Sequence, residues 1–428
     1  MRRLLAVCLV LLVPLASVQA KNIWRLTDIN PGPGGSGASY LTLYDGDLYF
    51  RANDLPHGDD IELWRYDPAA GAASRAADIC PGPEGSWMAD LVVYSNALYF
   101  RAEDGTHGTQ MWTFSGTTAS PVTNFAIGTN FPEGMTSYGG YLIYDQAGSF
   151  PGSDLYRYDG TSQTPINAVG GGKVYLPQFF TEYNGLLYFS AGSGVGGAEL
   201  WRTNGTAAAQ LTEIRPGNGG DPRNLCVYDG DLYFSAFDGV HGNELWKFDG
   251  ANATLVKDLL VGGQYASGNP SGMTVYNGKM YFNAYDPDHG FELWAYDSAT
   301  DVAAMVVEIN PTPDPLNGDD FLMDSSPHDF IVYEDVLYFV ANDGSHGNEI
   351  WSWDGAEAEL EFDIMPGLYS SEPRELLVVG DSVYLSADDG IHGDELWRMQ
   401  FPEPATLAML GLGVLGVLAR RRISRERP

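Results

Sequence analysis

Three cysteines in 428 residues exclude a disulfide-built scaffold. Cys8 lies in an apolar N-terminal leader, so only Cys80 and Cys226 are left for the body, one pair at most. Basic residues are scarce too: 23 Lys and Arg against 56 Asp and Glu give a net charge of −33. Residues 1–20 contribute +2 of that (Arg2, Arg3) and residues 405–428 contribute +4 (five Arg, one Glu), which leaves −39 on residues 21–404. Such a field repels nucleic acid and anionic lipid, and it attracts divalent cations or basic partners. No long 3.6-residue apolar period occurs between residues 21 and 400, which excludes a helical body. No nucleophile elbow, HExxH, P-loop or dinucleotide fingerprint stands in a supporting context, and Gly-Val-Gly-Gly at 194–197 reads as a hairpin turn.

The two ends carry addresses. Arg2 and Arg3, the apolar run Leu4–Leu15, and Val18 and Ala20 at −3 and −1 of a cut before Lys21 make a secretory signal peptide over residues 1–20. At the other end Pro402, Glu403 and Pro404 precede an apolar stretch, 405–419, and then Arg420, Arg421 and Arg422. Fifteen helical residues rise only ~22 Å, short for a ~30 Å hydrocarbon core. This order of motif, short transmembrane helix and basic stop resembles the PEP-CTERM sorting signal of Gram-negative bacteria, over residues 402–428. The resemblance implies an exosortase-type processing enzyme as partner and cleavage near the Pro-Glu-Pro motif. An ordinary C-terminal anchor is the alternative. Either way the body is exported to the cell surface or beyond, and membrane contact falls to the tail alone.

Residues 21–401 form the body, and a repeat organises it. An apolar-aromatic run recurs eight times (Leu48-Tyr49-Phe50 is the first, Val383-Tyr384-Leu385 the last). Each copy is followed by a second run of the type Glu62-Leu63-Trp64. Within the fifth copy four strands are predicted, at 224–228, 231–237, 244–249 and 254–260, separated by Asp-Gly-type turns. Four strands per ~45 residues predict an all-β, closed β-propeller with eight four-stranded blades. Seven blades is the alternative, should the divergent third copy (130–160) pair irregularly. The last copy lacks a fourth strand, and the segment opening at Asn22 matches the one that succeeds the Trp run in other copies. The N-terminal strand is therefore predicted to complete the last blade. The punctuation Asp-Gly-x-His-Gly and Glu-Leu-Trp, and above all ELWRTNGT at 199–206, resembles bacterial ELW-repeat ("ELWxxDGT") proteins over residues 22–397. That resemblance implies a surface or secreted protein without established catalysis.

An Asp stands three residues before a His in five clean copies, and a Glu stands three residues after it in four: Asp104–His107, Asp238–His241–Glu244, Asp286–His289–Glu292, Asp343–His346–Glu349 and Asp389–His392–Glu395. The first copy has Asp54 and His57, with Glu62 displaced. Asp, His and Glu could ligate a metal or act as acid and base. Against this, the copies would be spread around a ring. The third and fourth also lack the pair, having Gly148 and Pro151, and Ser193 and Gly196, in its place. The favoured reading is mechanical: an Asx-type turn whose imidazole bonds a neighbouring group. The insertion at 310–330 carries Asp314, Asp319, Asp320 and Asp324 with His328, an oxygen-rich set that could hold Ca²⁺ although its spacing matches no EF-hand. The stretch 146–154 is the second place where the copies depart. No catalytic residue and no cofactor is predicted. The expected function is non-catalytic binding or association with extracellular matrix, exopolysaccharide or protein. A secreted hydrolase or lyase acting on extracellular polysaccharide is the alternative.

Overall fold

The computed structural model describes residues 21–54, 60–126, 130–148, 154–194, 197–311 and 324–401. The predicted signal peptide with Ala20, His57, Pro151, Gly196, Asp314, Asp319 and Asp320 lie outside the described residues. So does the whole of 402–428, with Pro402, Glu403, Pro404, the 405–419 stretch and Arg420, Arg421 and Arg422. Among the described residues every regular element is a strand, and no helix is long and apolar enough to cross a membrane.

Eight four-stranded antiparallel sheets form the ring. In blade 1 the order is Ser39–Tyr44, Asp47–Asn53, Ile61–Asp67 and Ala72–Ala77, each strand hydrogen-bonded to the next. The innermost strands of the eight blades are Ser39–Tyr44, Ala89–Tyr94, Asn130–Tyr138, Tyr175–Tyr183, Arg223–Tyr228, Ser271–Tyr276, His328–Tyr333 and Arg374–Val379. Each touches the innermost strand on either side, and the eighth touches the first, so they line a central channel. The divergent third copy pairs as a regular blade, which settles the count at eight. Blade 8 is closed by the N-terminal strand Asn22–Arg25, with Asn22 opposite Gln400 and Arg25 opposite Trp397 on Asp394–Gln400. Closure of this kind leaves no sheet edge on the last blade's third strand.

Burial on both faces explains why the repeat does not alternate. Leu48, Phe50 and Ala52 pack on Tyr384 and Leu396 of blade 8, whereas Tyr49 and Leu63 of the same sheet pack on Leu98, Phe100 and Trp112 of blade 2. A strand with a neighbour on each side cannot show a polar face. The fourth strand of blade 5 ends at Lys257, three residues before its predicted end, because the Leu259 amide leaves the ladder to bond Glu244.

Connectivity sorts the loops. First-to-second and third-to-fourth turns lie at one end of the ring, here called the lower end. The second-to-third hairpins and the crossovers between blades lie at the other, the upper end. The N-terminal strand starts at the lower end and Asp394–Gln400 finishes there.

Candidate functional site

The repeated Asp–x–x–His hairpins project from the upper end, and there the imidazole meets its own Asp. His Nδ1 lies 2.6 Å from Asp104 in blade 2, 2.7 Å from Asp238 in blade 5 and 2.8 Å from Asp343 in blade 7. The same Asp accepts the backbone amides two and three residues on, from Val240 (2.7 Å) and His241 (2.8 Å) in blade 5. Gly239 and Gly242 flank this turn at φ +81° and +84°, a region that disfavours side chains. Burial opposes ionisation of Asp238, but the bonds from His241 and Val240 outweigh it and hold the carboxyl below its usual range. The Asp238 carboxylate in turn raises His241 above its usual pKa.

The next glutamate along the chain does not join this pair. Glu62, Glu199, Glu244, Glu292, Glu349 and Glu395 are buried and turn inward to collect the crossover that leaves their blade. Glu292 accepts from the Ile309 amide (2.8 Å), the Asn310 amide (3.1 Å) and Ser325 Oγ (2.6 Å). Glu349 accepts from Ile364 (2.9 Å) and Ser371 (3.1 Å), and Glu395 ties the N-terminal crossover through Thr27 Oγ1 (2.6 Å) and Ser36 Oγ (3.0 Å). Blade 2 does the same with a neutral side chain, Gln110, whose Oε1 accepts from Phe125 and Thr123, each at 2.8 Å. Burial pushes Glu62, Glu244 and Glu292 up to about 7, against the pull of their backbone donors. Each is a clasp holding a blade to its successor.

A less visible repeat shapes the channel mouth. In all eight blades the innermost strand has a bulge near its upper end; in blade 1 the register steps from Ser39–Arg51 to Thr42–Tyr49. The first bulged residue is left-handed every time: Tyr40 (φ +59°), Asp90 (+58°), Gly134 (+57°), Phe179 (+58°), Asn224 (+55°), Gly272 (+67°), Asp329 (+51°) and Glu375 (+57°). Six of these are not glycine, and a side chain there costs about 1 kcal/mol or more. Three residues earlier a second left-handed position recurs, at Trp87 (+50°), Leu176 (+50°), Asp221 (+45°), Asn269 (+47°), Ser326 (+43°) and Glu372 (+45°). A buried proline stands next after five of these (Pro177, Pro222, Pro270, Pro327 and Pro373), and Pro132 occupies the same place in blade 3. The strain is partly offset between blades, since Glu375 Oε2 accepts the Leu41 amide of blade 1 at 2.7 Å.

Eightfold backbone regularity carries a lopsided set of side chains. Blades 1, 2 and 4 present Tyr40, Trp87, Leu176 and Phe179; the last three are 57%, 62% and 40% exposed. Asp90, on this side, is paired with Arg101 at 3.0 Å, and Arg101 also holds Glu133 at 2.9 Å. Blades 5, 7 and 8 present Asp221, Asp329, Glu372 and Glu375, with Asn224, Asn269 and Ser326 between them. Arg374 beside this arc is held by Asp394 at 2.8 Å, and Arg223 stands exposed at the start of the blade 5 strand. Burial raises the Asp329 pKa, and His328 and Arg374 oppose the rise. Lower in the channel, Leu43, Val93, Val227, Val275, Val332 and Val378 are each 36–42% exposed, a ring interrupted by Ser137 and Glu182.

The four predicted Ca²⁺ residues are not all described. Asp324 is, and its Oδ1 accepts the Phe291 amide at 2.8 Å, tying the insertion to the third strand of blade 6. His328 opens the innermost strand of blade 7, its Nδ1 2.9 Å from the Ser326 carbonyl. Sequence reasoning missed a different acidic group, Asp60, Glu62 and Asp78, whose ligand atoms lie within 4.8 Å of one another. Arg75 occupies the centre of its field, 2.6 Å from Asp60, 3.1 Å from Asp54 and 3.6 Å from Asp78. Cys80 and Cys226 are both free thiols.

Residues 402–422 match the family model of the PEP-CTERM protein-sorting motif. That match implies export, surface association and processing by an exosortase. No curated protein matches the chain by sequence. Among solved structures, the chain is similar to a prolyl endopeptidase (10% identity, TM-score 0.49, covering 82% of this chain and 54% of that one). A puromycin-hydrolysing peptidase of Mycobacterium tuberculosis is similar at 9% identity and TM-score 0.47, covering 84% and 60%. The β-propeller domain of the Trilobed protease from Pyrococcus furiosus is similar at 13% identity and TM-score 0.40, covering 64% and 85%. The chain thus spans little more than half the length of the two peptidases, and likeness at this level carries no argument about what it does. What the findings establish is an eight-bladed propeller that ends in a sorting motif for the cell surface.

Proposed function

We propose that this chain is a secreted, surface-displayed binding propeller of the ELW-repeat type, without catalysis of its own, that engages extracellular matrix through the upper end of its ring. The observation that carries the reading is the distribution of exposed large apolar side chains. Trp87, Leu176 and Phe179 stand at the channel mouth, and Tyr265 and Tyr369 stand on the crossovers around it at 92% and 71% exposure. Flat, rigid aromatics held on a preformed scaffold suit contact with sugar faces or with a protein surface. The last strand, Asp394–Gln400, finishes at the lower end, and in this reading a membrane-held tail turns the upper end outward. Matrix polysaccharide is the first expected partner and a surface protein the second, with Ca²⁺ as an accessory bound by the 310–330 insertion.

A glycan array probed with the full-length protein, with and without Ca²⁺, tests the reading. Binding that Trp87→Ala abolishes without loss of the fold is the expected result. Turnover of a matrix polysaccharide, with release of reducing ends or unsaturated products, would overturn it in favour of a hydrolase or lyase.

A further inference from the structure

The channel mouth is built with one fold symmetry and one chemical asymmetry. Its backbone repeats eight times, down to the left-handed residue in every innermost strand. Its side chains divide into an apolar arc on blades 1, 2 and 4 and an acidic arc on blades 5, 7 and 8. A scaffold that needed only the bulge would be served best by glycine, as at Gly134 and Gly272, since glycine takes this conformation without strain. Trp87 and Leu176 at left-handed φ beside the channel add backbone strain and exposed apolar area at once, and neither stabilises the fold. The acidic residues share one arc of the mouth, where Arg374 stands in the field of Glu372 and Glu375 and beside Asp329, and the body adds a net −39 on residues 21–404 to that field. Exposed apolar side chains on strained backbone, set across one opening from an acidic arc, are what a ligand site leaves behind.

We propose that this mouth binds an amino-substituted glycan, one whose pyranose rings stack on Trp87 and Phe179 and whose ammonium groups are drawn to Asp221, Asp329 and Glu372. The assignment rests on the reading of the chain as a matrix-binding propeller and names the class of polymer within it. Charge selects the class. An anionic, uronate-type chain meets the acidic arc and the field of the whole body, so it is repelled from the mouth. A neutral chain finds the aromatic platforms and the amide of Asn224 but gains nothing from the carboxylates. A chain carrying both sugar faces and positive charge uses both arcs at once. A lysine-rich peptide shares the charge but offers no ring face to Trp87, so it depends on the acidic arc alone.

Titration calorimetry on the full-length protein with three oligosaccharide probes of equal length separates these cases: deacetylated glucosamine oligomers, their N-acetylated neutral counterparts, and oligoguluronate. An oligolysine of matched charge is the fourth probe. The glucosamine oligomer is expected to bind at least tenfold more tightly than the neutral one and to weaken as salt is raised, with no binding of oligoguluronate. Trp87→Ala should weaken both sugar probes at least fivefold and leave oligolysine unchanged. Glu372→Gln combined with Asp221→Asn should weaken the glucosamine oligomer severalfold and leave the neutral one unchanged, and both exposed sites can change without disturbing the core. Equal binding of neutral and amino probes, insensitive to the acidic pair, would overturn this inference while leaving the binding-propeller reading in place. Oligolysine binding as tight as that of the glucosamine oligomer, with no effect of Trp87→Ala, would assign the mouth to a basic protein partner. Failure of every probe to bind would remove the inference and count against the glycan reading with it.

Discussion

The glutamate clasps make the stability of the ring depend on pH in a direction opposite to that of most carboxylates. Glu292 is fully buried, and burial pushes its pKa from an ordinary 4.5 to about 7 even though Ile309, Asn310 and Ser325 all donate to it. A carboxyl raised on folding binds its proton more tightly in the native state. Its contribution is therefore complete below about pH 4.5 and is lost as pH rises through about 7. At ~1.4 kcal/mol per pH unit the linkage amounts to about 3 kcal/mol. Blade 2 supplies the natural control, because Gln110 fills the same place without a titratable proton. Urea unfolding of the wild type and of Glu292→Gln, from pH 4 to pH 8, should show the variant's deficit shrinking by about 3 kcal/mol as pH rises. Glu292→Ala, which also lacks the proton, should show the same shrinkage on top of a larger deficit, with about 3 kcal/mol or more remaining at pH 8, since three buried donors lose their acceptor. Parallel curves for wild type and Glu292→Gln would refute the reasoning, because they would mean that the buried carboxyl titrates as it does in the unfolded chain.

The hairpins and the tail carry two more tests. His241→Ala should lower the unfolding midpoint modestly below pH 6.5, and the difference should fade as pH rises past the elevated pKa that Asp238 confers; stoichiometric loss of a bound metal from the variant would sink the mechanical reading of the hairpin. Deletion of residues 402–428 should release the protein from the cell-surface fraction into the medium, and unchanged fractionation would count against the sorting motif as the anchor.

Much of the architecture was legible because it rests on side chains with strong preferences. The tryptophans recur at nearly constant spacing, and the Leu-Tyr-Phe runs reveal burial on both faces from composition alone. The closing role of Asn22–Arg25 was implied by the missing fourth strand after Trp397. The function of the glutamates was not legible. For five of the six their partners are backbone amides 15 to 24 residues further on, such as Ile309 for Glu292 and Gly268 for Glu244, while Glu395 takes Asn30 from the far end of the chain, and amides carry no mark in a sequence. Grouping Glu244 with His241 was natural by spacing, but His241 stands in the turn bonded to Asp238, whereas Glu244 is inside the strand Asn243–Phe248 with its side chain buried against the crossover. The mouth left a fainter signal, the proline two residues before the bulge in six blades. Aligning the copies on that proline, rather than on tryptophan, would have placed Leu176, Asp221 and Glu372 in one ring.

Phe401 is also a mechanical element. It is the last described residue before the sorting motif, and its ring is buried between Tyr333 and Tyr338 of blade 7, with centroids 4.7 and 5.0 Å away. The strand ahead of it is hydrogen-bonded on both edges, to Ser382–Asp388 and to Asn22–Arg25. A tug on a membrane-held tail is therefore borne by two ladders and an aromatic plug shared with the neighbouring blade. A cut just after Phe401 would relieve that load and leave every blade intact, so the same ring can serve tethered to a cell or shed into its surroundings.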